Sequence, residues 1–385
     1  MQTNKLPELY QTFIQPYLTR NQWLKLALLI SLIQVHRWVR LEDLANRLPQ
    51  PVKFESRRRG IQRLLDLPQL TYETLWFPLF SLWLSGKFKP GEVVNLAIDR
   101  TRWGEVNLLV ISCLYRRRAI PIYMTFLPKK GNSNLSEQQD TLSRVFPLLE
   151  AYKTVVLGDR EFCGVQLAQW LSGRKNTYFC LRLKKNTYVA REDQLWTALR
   201  DLGLSPGMSF YLEGMKVTKS RGFHPGNLAV KWKQKYRGWT ADEAWFILTN
   251  LPDLKTALDA YAQRMGIEEM FRDFKSGGYN LEDTQVRGKR LVTLTLLMTL
   301  AYASDIFHGE VVRRKGVNSY VNRPSEKGRK YPRHSHFYTG NRARAWLHSL
   351  TVFAEEAQQF LKSCPHKRVN YRQGQRAISL IQSSF

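Results

Sequence analysis

Acidic residues, cysteine and long apolar runs are all scarce in this chain. Its 32 Asp and Glu face 59 Lys and Arg, a formal net charge of +27. A field of that sign repels cations and draws polyanions, which puts nucleic acid first among partners and an acidic membrane surface second. The four cysteines (Cys113, Cys163, Cys180, Cys364) are scattered and form no close pair. That argues against a disulfide framework and a zinc knuckle, and for a reduced, cytoplasmic setting. The longest apolar runs, Leu26 to Val35 and Leu291 to Tyr302, are broken by polar residues. Both fall short of the ~20 residues a membrane-spanning helix needs, so no membrane partner is expected. The opening MQTNKLPELYQ lacks the basic head, apolar middle and small-residue cleavage site of a signal peptide. No internal repeat or low-complexity tract is visible. What remains is a folded protein: 385 residues, 43% apolar and 12% aromatic. At roughly 150 residues per domain, that length predicts two or three domains.

Residues 1 to 85 read as helical. Leu41, Leu44, Ala45 and Leu48 recur at helical spacing, and Ser56 is placed to N-cap the basic run that follows. The pattern then turns to β. VVNLAID (93–99), VNLLVISCLY (106–115) and IPIYMTFL (120–127) are joined by short polar links. A helix is expected from Ser136, with Gln139 completing a capping box. The strand KTVVLGD (153–159), a helix over 164–171 and the strand TYFCLRLK (177–184) follow. Residues 185–240 are polar, broken and glycine-bearing, and read as a β-rich insertion. EAWFILTN (243–250) returns as a strand. One long helix is expected from Leu254 to Lys275, stopped by SGG. An apolar helix over 290–307 follows. Residues 310–346 then hold ten Lys and Arg against two acids. The mixed order fits an α/β open sheet with helices on its faces.

Two acids end strands in this scheme, Asp99 in AIDRTRW and Asp159 in LGDREF. Ligand sites in open sheets lie beyond strand ends. An acid after an aliphatic run is also an ordinary turn or cap residue. The two would pair only if strands 93–98 and 153–158 are neighbours. On the long helix, Tyr261, Arg264, Glu268 and Lys275 fall within an arc of about 60°, with Arg272 beside them. Ile267, Met270, Phe271 and Phe274 occupy the adjoining core face. One acid thus sits in a row of cations and a hydroxyl. The alternative is a solvated stripe with intrahelical pairs such as Arg264–Glu268.

DRT around Asp99, GDREF around Asp159 and the Tyr–Arg–Glu–Lys row resemble the DDE transposases of bacterial insertion sequences, and in particular insertion-sequence family four. In that signature two residues separate Tyr from Arg, three separate Arg from Glu and six separate Glu from Lys. Tyr261, Arg264, Glu268 and Lys275 stand at those intervals. The resemblance covers residues 90 to 305. It implies a ribonuclease-H-like catalytic domain over 89–308 with the β-rich insertion at 185–240. A helical DNA-binding domain (1–88) would precede it and a basic helical C-terminal region (309–385) would follow.

The resemblance also implies chemistry. Asp99, Asp159 and Glu268 would be the catalytic acids and would hold two Mg²⁺, with Mn²⁺ as a substitute. Hard cations of that kind prefer oxygen ligands. The reaction would be hydrolysis at the ends of an insertion sequence, then a DNA hairpin and transfer into target DNA. Tyr261, Arg264, Arg272 and Lys275 would hold phosphates, and Trp245 would stack a displaced base. Its alternative is a core tryptophan on a strand. LEDLANRL followed by KFESRRRGIQRLL is compatible with a helix-turn-helix in which Arg57, Arg58, Arg59 and Arg63 meet double-stranded DNA. A homodimer on paired ends and association with the bacterial nucleoid are implied as well. The rival readings are a ribonuclease-H-like nuclease or resolvase and a catalytically silent DNA-binding relative.

Overall fold

The computed structural model describes residues 6–191, 195–219, 222–236, 238–323, 333–363 and 365–383. Along the chain, helices α1 (Glu8–Ile14), α2 (Arg20–His36), α3 (Leu41–Arg47), α4 (Phe54–Leu65) and α5 (Phe77–Ser85) come first. Strands β1 (Val93–Trp103), β2 (Val106–Tyr115) and β3 (Arg118–Phe126) lead to α6 (Leu135–Val145), β4 (Lys153–Gly158), α7 (Val165–Ser172) and β5 (Thr177–Arg182). Next are β6 (Tyr188–Ala190), β7 (Thr197–Ala198), β8 (Ser209–Val217), β9 (Phe223–Lys231) and β10 (Trp245–Thr249). The chain ends in α8 (Leu254–Ala262), α9 (Met265–Phe274), α10 (Gly288–Arg314), α11 (His336–Val352), α12 (Ala354–Ser363) and α13 (Arg368–Gln382). These elements fall into two compact units, Phe80–Arg272 and Met1–Leu79 with Asp273–Phe385.

The first unit is mixed α/β. Among the described residues its strands form one continuous sheet, in the order β3-β2-β1-β4-β5-β10-β9-β8-β6-β7. Only the β1–β4 and β4–β5 pairs are parallel. β2 is buried along nearly its whole length, which is why VNLLVISCLY runs almost unbroken in apolar residues rather than alternating. α6 packs on β2 and β3, α7 on β5, and α8 on β4 and β5. Residues 185–240, expected as an insertion, carry β6 to β9, and these strands extend the main sheet through the β9–β10 pair.

Three local expectations are corrected. α4 starts at Phe54 behind Lys53, without a side-chain cap, so Ser56 lies inside the helix. The capping box of α6 is Asn134 with Glu137, two residues before the expected Ser136 and Gln139, because the asparagine already occupies the extended N-cap position. The long helix 254–275 is two helices. Between them the amides of Arg264, Gly266 and Ile267 bond three residues back rather than four, which tightens the turn. A constant 100° per residue therefore fails across that joint.

The other unit is built from helices. α10 is longer than expected, 27 residues. It is the one helix among the described residues long and apolar enough to cross a bilayer, but 89% of its most apolar window is buried in protein. α10 and α11 touch backbone to backbone. A Cβ on Gly340 would stand 1.9 Å from the Asp305 carbonyl oxygen, and one on Gly309 would stand 1.8 Å from that of His336. Beside this contact the carboxylate of Asp305, fully buried, accepts from Gln34 (3.0 Å), Asn341 (3.2 Å) and Arg344 (3.3 Å). Of the basic residues noted between 310 and 346, Lys327, Arg329 and Lys330 lie outside the described residues, as does Cys364.

Burial pushes the Asp305 carboxyl up to about 6, against the pull of Arg344 and Asn341. Its folded pKa lies above its unfolded value, so it contributes less stability as pH rises from about 4 through 6. Arg344→Met removes the opposing charge and moves that titration higher. The expected loss is about 3–5 kcal/mol at pH 8, where the stranded carboxylate is charged, and clearly less at pH 5, where it can hold a proton. Denaturant unfolding at both pH values checks this; equal losses would contradict it.

Candidate active site

The parallel register of β1 and β4 sets the first two acids side by side. Ile98 lies opposite Gly158, so Asp99 and Asp159 follow paired residues on adjacent strands. Asp159 stands just past the end of β4. β1 runs on to Trp103, so Asp99, expected at a strand end, lies within its strand opposite Val110 of β2. Gly158 has a steric reason: a Cβ there would stand 2.7 Å from the Cβ of Phe162, which is fully buried. The turn after β4 closes only over a glycine. Asp159 caps that turn, its Oδ1 accepting from the Glu161 amide at 2.8 Å. Cap geometry and a place in a carboxylate group are thus both true of Asp159.

The tight joint between α8 and α9 delivers the other members. Arg264, at the joint, donates from Nη1 to Asp99 Oδ2 at 3.0 Å and from Nη2 to Glu268. The Arg264 and Asp99 side chains are 10% and 14% exposed, whereas Glu268 is 45% exposed. So the Arg264–Glu268 pair exists, but it runs from the joint to α9, and the row is not a solvated stripe. Tyr261 is buried too, with its ring edge-on to Trp245 at 5.1 Å.

Burial pushes the Asp99 carboxyl up to about 7; Arg264 opposes this, while the nearby Asp159 and Glu268 carboxylates add to it. Burial works against the charge on Arg264, yet Tyr261, Asp99, Glu268 and Asp159 outweigh it and hold the guanidinium firmly protonated. The three acids feel one another through space, with one guanidinium among them.

A second ion pair clips the two strand ends together. Arg100 Nε donates to both Glu161 oxygens at 2.9 Å, and its Nη1 donates to Asn107 at 2.8 Å. Glu161 also accepts from the Ser133 amide and hydroxyl, both at 3.0 Å. Burial disfavours its charge, but the bonds from Arg100 and Ser133 win and lower its pKa. The sequence reading passed over Glu161 and Arg100. The available signal was their position, each within two residues of a strand-end acid.

Beyond Asp159 lies a cleft of about 390 Å³ lined by Arg160, Arg182, Lys231, Lys233, Trp239 and Trp245, among others. Glu243 is held there by Arg160 and Arg182, both at 2.7 Å. Lys233 sits 5.1 Å over the Trp245 ring. Trp245 is half-buried, so it is neither a core tryptophan nor a free platform.

The remaining expected residues have partners of their own. Arg272 pairs with Glu269, one residue round the helix from Glu268. Lys275 follows α9 in the helical unit, where its Nζ meets Glu282 at 2.7 Å. In α4, Arg57 donates to the Ala45 and Val52 carbonyls, both at 2.7 Å, and so braces the turn between α3 and α4. Arg58 pairs with Glu42 and Glu55, and Arg59 with Glu55. Arg63 bonds weakly to the Arg59 carbonyl at 3.5 Å.

The donor set of Asp99, Asp159 and Glu268 is all hard oxygen, which suits Mg²⁺ or Mn²⁺. The Asp99 carboxyl is raised first by burial and then by the neighbouring Asp159 and Glu268 carboxylates, so positive charge beside it would favour the carboxylate form. In the conformation described, Arg264 supplies that charge, and no three acids or histidines among the described residues stand at metal-ligand spacing. The chemistry of the set fits a divalent ion, and the side chains are arranged around a guanidinium.

Residues 114–303, just under half of the chain, match the family model for the transposase DDE domain. That match supports a DDE transposase; it includes Asp159 and Glu268 and begins after Asp99. No curated protein matches the chain. Among solved structures, the chain is similar to a piggyBac transposase synaptic complex with hairpin DNA. The two are 12% identical, with a TM-score of 0.39 over 74% of this chain and 72% of that one.

A neutral side chain at position 99 should relieve the crowding of charge. The folded pKa of Asp99 exceeds its unfolded value, so ionising it destabilises the protein as pH rises from about 4 through 7. In chelator-containing buffer, Asp99→Asn is expected to gain on the order of 1–3 kcal/mol at pH 8 and to match the parent near pH 4. Thermal melts at the two pH values check this; a loss at pH 8 would contradict it.

Proposed function

We propose that this chain, with its match to the transposase DDE domain, cuts and joins the ends of an insertion sequence, and that Asp99, Asp159 and Glu268 are its catalytic acids. The observation that carries the proposal is the pairing of β1 with β4, which sets Asp99 beside Asp159, together with the Arg264 bridge from Asp99 to Glu268. The five-strand order β3-β2-β1-β4-β5, with β1, β4 and β5 parallel and β2 and β3 completing an antiparallel meander, supports a ribonuclease-H-like domain spanning 89–308. The Tyr–Arg–Glu–Lys spacing supports insertion-sequence family four.

Two Mg²⁺ held by the three acids would polarise the scissile phosphate and lower the pKa of an attacking water or 3′-hydroxyl. The chain's own residues do the rest. Arg264 moves from carboxylate to phosphate as DNA arrives, since a guanidinium serves either anion in the same forked geometry. Tyr261 backs Arg264 from within the core. Arg272 and Lys275 add phosphate contacts. The cationic cleft with Trp245 holds a base displaced from the helix, which favours a hairpin route because a sharply bent backbone must unstack one base.

In the helical N-terminal domain (1–88), α3 and α4 form a helix-turn-helix-like pair that reads double-stranded DNA at the element's ends. Arg59 and Arg63 offer the outer charge, Arg58 stands beside them, and Arg57 keeps the turn in shape. The basic C-terminal region (309–385) contributes to a homodimer on paired ends. The setting is the bacterial cytoplasm, on the nucleoid.

Asp99→Asn, Asp159→Asn and Glu268→Gln are each expected to abolish Mg²⁺-dependent cutting of an element-end duplex while gel-shift binding persists. Full cutting by any of them would remove that acid from the site. Cutting of branched DNA or hybrids without end joining would favour the nuclease reading. Binding without cutting by the unaltered protein would favour a silent relative. Lys275→Ala is expected to weaken binding and to shallow the slope of log affinity against log salt by about 1. An unchanged slope would argue against a phosphate contact there.

A further inference from the structure

The hairpin between β2 and β3 turns in two residues, Arg116 and Arg117, between the paired Tyr115 and Arg118. Their φ angles are 47° and 66°. A two-residue turn with both central residues in the left-handed region favours Asn-Gly, because elsewhere a Cβ crowds the following carbonyl oxygen. Here the chain places two arginines, neither of which relieves the backbone. Both are exposed, so core packing does not explain them. Backbone strain kept at an exposed turn points to a use for the side chains it carries.

The surroundings fit that use. Lys87 and Arg116 both lie on the Tyr115 ring, at 5.6 and 5.2 Å. That ring is wedged edge-on against Trp83 at 5.3 Å and Phe88 at 6.0 Å. A fixed aromatic base thus gathers cationic side chains in one place, an arrangement that suits a polyanion. The hairpin also leans on α9. A Cβ on Gly266 would stand 3.2 Å from the Arg118 carbonyl carbon, and Arg118 meets Glu269 at 3.5 Å. Glu269 is in turn shared with Arg272. The tip therefore sits against the turn of helix that carries Glu268.

We propose that the Arg116–Arg117 hairpin tip, with Lys87, grips the phosphate backbone of double-stranded DNA beside the carboxylate site. The proposal rests on the reading of this chain as a DNA-cutting enzyme. A two-residue turn on a paired hairpin is stiff, so the charges it carries are pre-positioned and lose little freedom on binding.

The test compares the full chain with R116N/R117G, which relaxes the turn and removes both charges, and with R116K/R117K, which keeps charge and strain. Binding of a fluorescently labelled DNA duplex of arbitrary sequence is read by anisotropy over a range of KCl. For R116N/R117G the melting temperature is expected to rise by roughly 2–4 °C. Its affinity is expected to fall on the order of tenfold, and the salt slope to shallow by about 1–2. R116K/R117K should bind close to the parent. An unchanged affinity and slope in R116N/R117G would overturn the proposal, as would a fall in melting temperature. Cutting of an element-end duplex is measured alongside. A parent that binds and cuts, with unaltered affinity in R116N/R117G, removes the hairpin contact alone. A parent that binds but never cuts, with the expected loss in R116N/R117G, removes the cleavage reading and leaves the hairpin contact standing.

Discussion

Carboxylates gathered around neighbouring strands repel one another, and in this protein the guanidinium of Arg264 offsets that repulsion. It reaches Asp99 on one side and Glu268 on the other from a largely buried position. The arrangement depends on the joint between α8 and α9, where tightened turns aim Arg264 back at the sheet instead of along a continuous helix. It depends equally on the parallel β1–β4 register, without which Asp99 and Asp159 would not stand side by side. Negative charge concentrated in this way costs stability, and the proposed function gives the reason to keep it, a site for cations beside a phosphate.

Around that centre the chain uses smaller devices to fix geometry. Arg100 and Glu161 tie the two strand ends and the segment around Ser133 into one bonded cluster. Gly158 lets Phe162 close over the turn that Asp159 caps. In the helical unit the same logic operates deep in the core. The carboxylate of Asp305 is tolerated only because Arg344, Asn341 and Gln34 surround it, where two glycines let α10 and α11 meet backbone to backbone.

Much of this was legible from residue order. The alternation from β-rich runs to helical spacing located most strands within a few residues, because β-branched and aliphatic clusters bounded by short polar links have few other solutions. The acids ending VVNLAI and KTVVLG stood out for the same reason. Other features were not legible. The break at Arg264 coincides with the approach of Gly266 to the β3 backbone and the bond from Arg264 to Asp99; Gly266 was its one local trace, and those tertiary contacts left none. The extension of the sheet by β6 to β9 depends on the β9–β10 register, a contact between segments that the pattern treats as separate. Glu161 looked like a surface acid in a turn because its partners lie on β1 and near Ser133, distant in sequence. The arginines of α4 read as one basic face, yet Arg57 is spent on carbonyls and Arg58 on glutamates.

The central claim is that Asp99, Asp159 and Glu268 form one cation-binding centre once DNA displaces Arg264. Anomalous scattering from Mn²⁺ in crystals of the full chain with an element-end duplex tests it most directly. The account predicts manganese peaks ligated by these three carboxylates, with the Arg264 guanidinium turned to a phosphate. Manganese bound elsewhere, with Arg264 still bridging Asp99 and Glu268, would contradict it.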